Sequence, residues 1–104
     1  MWNFWESSPE WQRKEELFAA LKVAKAERDE AGRGILVCVG LGYLDGAVWE
    51  SDRAAFLLAH EAYEDAFLAW READKAFNAS PAGQACARYF ADPLAAQATE
   101  SEAA

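Results

Sequence analysis

"GILVCVGLGYLDGAVW", Gly34 to Trp49, has β-branched residues, four glycines and no charge until Asp45, and its reading decides the fold. Asp45-Gly46, set between Tyr43-Leu44 and Ala47-Val48, has the composition of a two-residue hairpin turn, which wants positive φ at both central positions. The stretch therefore predicts a β-hairpin, Ile35 to Leu44 against a short arm from Ala47 to Trp49. The competing reading is a buried helix, against which Gly40 and Gly42 each count ~0.5–1 kcal/mol relative to alanine. A lone hairpin is marginal in water, so this one must lie on helices or pair with another chain. The first reading gives an α+β fold, mainly helical, in α-ββ-α-α order with a long central helix and a small β-hairpin. The second gives an all-α helical bundle.

Working outward, three places join a capping residue to proline: Ser8-Pro9, Ser80-Pro81 and Asp92-Pro93. A Ser or Asp oxygen accepts from the orphan N–H groups of a first turn, and proline at the first helical position gives up a donor that has no partner there. Each pair predicts a helix start. The first helix is expected from Pro9 to about Ala31, stopped by Gly32 and Gly34 in the left-handed conformation. A long helix is expected from Ser51 or Asp52 to near Asn78, about 40 Å at 1.5 Å per residue. A short one runs from Pro81 to Phe90 with Cys86, Tyr89 and Phe90 as apolar contacts, and must stop before Asp92 because the residue ahead of proline leaves the helical region. Residues 1–91 thus form one domain, and residues 92–104 a short turn and mobile acidic tail.

The expected long helix keeps a step of seven. Phe56, Tyr63, Trp70 and Phe77 form one row, flanked by Ala59, Ala66 and Ala73 and by Ala55, Ala62, Ala69 and Ala76. Residues seven apart drift by only about 20° around a helix, so the rows make one continuous face against which a neighbour can approach closely. Trp11, Leu17, Phe18, Leu21 and Ala24 of the first helix can supply that neighbour, as can an identical helix of a second subunit. Leu57, Leu58 and Leu68 project from the other side and need a second cover. Trp2, Phe4 and Trp5 precede the first cap. Burying such rings is worth roughly 1.5–3 kcal/mol each, so they either close the domain's own core or insert into a partner.

The chemistry is mostly one of exclusions. His60 is the only histidine, and a helical zinc-protease site would need a second one turn on, where Glu64 stands. The residue three before His60 is Leu57, not the glutamate of a di-iron helix. Cys38 and Cys86 lack zinc-ribbon or thioredoxin spacing. The glycines of the opening stretch do not lead from a strand into a helix, as a nucleotide-binding loop must. No cofactor or metal is therefore expected. Eighteen acidic against ten basic residues, a formal charge of −8, oppose direct nucleic-acid binding, which needs clustered Lys and Arg. No window is apolar enough to span a membrane, and "MWNFWESSPE" has neither the basic start nor the apolar run of a leader, so a cytoplasmic setting with free thiols is expected.

These readings converge on a protein that is not an enzyme: a small accessory, adaptor or inhibitor of bacterial or phage origin that binds another protein with a basic surface, and a homodimer. Its candidate binding residues are Trp2, Phe4, Trp5, Leu57, Leu58, Glu61, Glu64, Asp65, Leu68 and Glu72. Imitation of nucleic acid by the acidic face is one version of the inhibitor reading. The alternative is a small-ligand binder or small enzyme, with a pocket between hairpin and helices using His60, Tyr63 or Cys38.

Overall fold

The structure, a computed structural model, describes residues 3–91. A short 3-10 turn, Phe4–Ser7, is followed by helices α1 (Pro9–Leu41), α2 (Gly46–Ala79) and α3 (Pro81–Ala91). No strand occurs among the described residues. The α+β expectation is thereby corrected to an all-helical chain: residues 35–41 continue α1, and Gly46 opens α2. Trp2, the Asp92-Pro93 start and the expected tail lie outside the described residues.

Backbone geometry explains the correction. A tight hairpin turn needs left-handed φ at Asp45 and Gly46 together, and only glycines take it here: Gly42 at +76° and Gly46 at +89°. Gly42 is where α1 stops. Its N–H donates to the Val39 carbonyl at 3.1 Å, and the Tyr43 N–H reaches back to the Cys38 carbonyl at 2.8 Å. This pair of bonds is a Schellman cap. Gly32 and Gly34, expected as the stop, instead lie inside the helix where α2 comes close. A Cβ on Gly32 would sit 3.6 Å from the Phe56 ring, and one on Gly34 would sit 3.3 Å from the Asp52 carboxyl.

The other helix starts follow the capping chemistry. The Trp11 N–H donates to Ser8 Oγ at 3.1 Å, and Pro9 is the first residue of α1. Ser80 is buried between α2 and α3: its hydroxyl donates to the Phe77 carbonyl at 2.6 Å and accepts from the Gly83 N–H at 3.0 Å.

The chain divides into two compact units. One comprises Leu17–Trp70, a pair of helical arms from α1 and α2 joined by residues 42–45. Ala24 and Cys38 of α1 are its buried residues. Leu17, Leu21, Ala24, Arg28, Ala31, Ile35 and Cys38 keep alternate steps of four and three, and all are buried or half-buried. The other unit comprises, of the described residues, 3–16 and 71–91. Its core is aromatic: Trp5, Phe77 and Tyr89 are at most 9% exposed, with Phe4, Trp11, Ala82 and Cys86 packed around them.

Candidate partner-binding surface

Within the unit Leu17–Trp70, α2 carries a ladder of rings, of which Phe56, Tyr63 and Trp70 meet α1. Phe56 stacks on His60 at 5.9 Å, His60 on Tyr63 at 6.4 Å, Tyr63 on Phe67 at 6.5 Å, and Phe67 meets Trp70 at 6.0 Å. Phe18 of α1 closes the end of the ladder, 6.0 Å from Trp70. The seven-residue row read from sequence holds Phe56, Tyr63 and Trp70 but omits His60 and Phe67. Those two fill the intermediate steps of three and four that bring helical side chains together. Arg28 of α1 lies 4.0 Å above the Tyr63 ring, so a cation covers the π face at a position where an aliphatic residue would otherwise be needed.

This placement gives His60 a structural occupation. Its Nε2 lies 3.0 Å from Glu64 Oε1 one turn on, and its ring is a rung of the ladder; Nδ1 has no hydrogen-bond partner among the described residues. Cys38 is engaged elsewhere. At 2% exposure its thiol donates to Asp52 Oδ2 over 3.2 Å, and that bond, with burial adding to it, holds the thiol pKa above its ordinary range. A nucleophile needs the opposite shift, toward thiolate. The ligand pocket imagined between hairpin and helices has no hairpin to form it. Tyr63, Glu64, Phe67 and Leu68 line only an open depression. Among the described residues no group of three or more His, Cys, Asp or Glu is placed to hold a metal ion, and no helix is long and apolar enough to cross a membrane.

The candidate binding residues fall into two groups. Trp5 is buried, its ring 5.1 Å from Phe4, 5.8 Å from Tyr89 and 5.6 Å from Phe90. The N-terminal rings Phe4 and Trp5 thus belong to the core of their own unit, not to an exposed docking set. Glu72, in the same unit, is exposed and pairs with Lys75 at 3.3 Å. Leu57, Leu58, Glu61, Glu64, Asp65 and Leu68 belong to the other unit and all are exposed. At 100° per residue they share an arc of about 120° on the side of α2 away from the ladder. What α2 displays outward is therefore leucine set among carboxylates, with Phe67 also exposed, while Phe56, Tyr63 and Trp70 turn toward α1.

A second apolar surface was not anticipated. Leu36, Val37, Val39, Leu41, Tyr43, Leu44 and Val48, assigned by sequence to a hairpin, surround the connection between the two arms and are all more than half exposed. The signal in the sequence is the absence of charge from Gly34 to Leu44. Of the large apolar residues exposed along the described chain, all but Phe90 lie in the unit Leu17–Trp70. No protein-family model, curated protein or solved structure matches the chain.

Proposed function

We propose that this chain is a non-enzymatic accessory, adaptor or inhibitor that works by binding another protein through the outer side of α2. The observation that carries the reading is the exposure of Leu57, Leu58 and Leu68 beside Glu61, Glu64 and Asp65. Leu57 and Leu58 lie about 15 Å along the helix from Leu68, with the three carboxylates between them. Exposed large apolar side chains set among charges mark interaction sites, because water is released from the apolar contacts while the charges fix orientation. No Lys or Arg lies between Arg53 and Arg71. The partner implied is a protein with an apolar patch bordered by Lys or Arg, since that pairing steers encounter and leaves no like charges opposed.

The test is photo-crosslinking from position 58 in the native host, followed by capture with purified variants. Leu57→Glu/Leu58→Glu should abolish capture of the crosslinked protein. Glu61→Lys/Glu64→Lys should weaken it about tenfold or more and flatten its salt dependence. Capture that is indifferent to both variants would overturn the reading.

A further inference from the structure

The first helix carries two apolar stripes, and only one of them has a cover. The inner stripe, Leu17 to Cys38, faces α2. On the other side Ala19, Val23, Ala26, Glu30, Arg33, Val37 and Gly40 repeat the same alternation of four and three, about 160° around the helix from the first. All seven are exposed, Val23 at 58% and Val37 at 59%, with Leu36 and Leu41 flanking them at 70% and 62%. Space above Gly40 is open: a Cβ there would meet nothing within 4 Å. Glu30 and Arg33 pair with each other at the middle of the stripe, both side chains largely in solvent.

We infer that a second copy of this chain covers the outer stripe, its α1 running antiparallel to the first about a twofold axis between residues 31 and 32. It rests on the reading that exposed apolar surface of this unit is docking surface, and it names the occupant of the α1 side. The order of residues selects this partner and this direction. Antiparallel pairing sets Glu30 against Arg33 of the second copy, and Arg33 against its Glu30, so the only charges in the seam meet opposite charges twice. Parallel pairing would oppose Glu30 to Glu30 and Arg33 to Arg33. The same axis sets Val23 against Gly40 and Ala26 against Val37, so a branched residue always meets a small one, as interdigitated helices require. On the flanks, Leu41 comes to Ala20 of the second copy, Glu27 to its Gly34 and Asp29 to its Leu36, and no carboxylate faces another. Such reciprocity is the mark of an isologous interface. The stripe itself is neutral, so the net charge of −8 opposes pairing only through longer-range repulsion that salt screens.

Light scattering and sedimentation of the full chain at micromolar concentration test this, with circular dichroism to follow helix content. The native chain should be a dimer, and Val37→Glu a helical monomer. Glu30→Arg alone and Arg33→Glu alone should each weaken self-association about tenfold or more, and the two together should restore it to within a few-fold, since only the relative sign matters. Ala26→Cys/Val37→Cys should give a covalent dimer on mild oxidation; these positions lie too far apart along one helix to bridge within a chain. Should Val37→Glu fail to fold, the charge-swap set decides, because it alters only exposed positions. A native chain that stays monomeric, or a dimer indifferent to the charge swap and refusing the cross-link, overturns the inference. A monomer that still loses its protein partner through Leu57→Glu/Leu58→Glu would sink the dimer and leave the proposed function standing.

Discussion

Single residues govern where α1 continues and where it ends. Gly42 holds φ at +76°, and any residue with a Cβ is strained there. Gly42→Ala should cost about 1–2 kcal/mol. Gly32→Ala should stabilise by about 0.5–1 kcal/mol, since a methyl at 3.6 Å from Phe56 makes an ordinary contact and alanine loses less backbone freedom. Denaturant midpoints of the two variants should therefore move in opposite directions. The pair of Cys38 and Asp52 makes a second test. A thiol pKa raised in the folded chain favours the protonated form, so its contribution is complete below the unfolded thiol's pKa and is lost as pH climbs through the folded value. Stability should fall more steeply on the alkaline side in the native chain than in Cys38→Ala, and Asp52→Asn should lower the pH at which Cys38 ionises, followed by thiolate absorbance with Cys86 replaced by alanine.

At the scale of elements, the passage from α2 to α3 is fixed by one hydroxyl and one missing side chain. Ser80 caps α3 and at the same time satisfies the Phe77 carbonyl in the last turn of α2, so Ser80→Ala removes both bonds from a buried site. A loss of about 1–2 kcal/mol in denaturation is expected. Gly83 permits the close approach that this requires: a Cβ would lie 1.7 Å from the Phe77 carbonyl oxygen, so the backbone itself would have to move. Gly83→Ala should cost about 3 kcal/mol or more, with Ser80→Ala and Gly83→Ala together less than additive because they disturb one junction. The 3-10 turn joins the same region through Trp5, and Trp5→Ala should remove about 3–5 kcal/mol by opening a cavity among Phe77 and Tyr89.

For the molecule as a whole, charge is the dominant long-range quantity. Of the −8 total, the ion pairs between Arg13 and Glu16, Lys25 and Asp29, and Lys75 and Glu72 are exposed and contribute little. Lys14 is better placed: it is largely screened from solvent, 3.0 Å from Asp74, and lies over the rings of Trp11 and Phe77. Net repulsion outweighs the exposed pairs, so raising ionic strength from low to physiological should raise Tm by a few degrees. A fall in Tm would show that attractive pairs dominate instead.

The sequence by itself determined what short-range chemistry decides. Ser8-Pro9 and Ser80-Pro81 name their helix starts because cap and proline act within one turn, and the seven-residue rows name the inward face of α2 because period alone fixes a face. It could not determine residues 34–49. An apolar run with alternating Ile35, Val37 and Val39 satisfies a strand and a helix equally well, and the choice rests on what lies across from it: Phe56 against Gly32, and Asp52 against Gly34 and Cys38. The outward leucines of α2 were legible from the same period, whereas the outer stripe of α1 was not, because its Val37 and Gly40 were assigned to a strand. Only the tertiary structure, by extending α1 to Leu41, set Val37 and Gly40 in register with Val23 and Ala26.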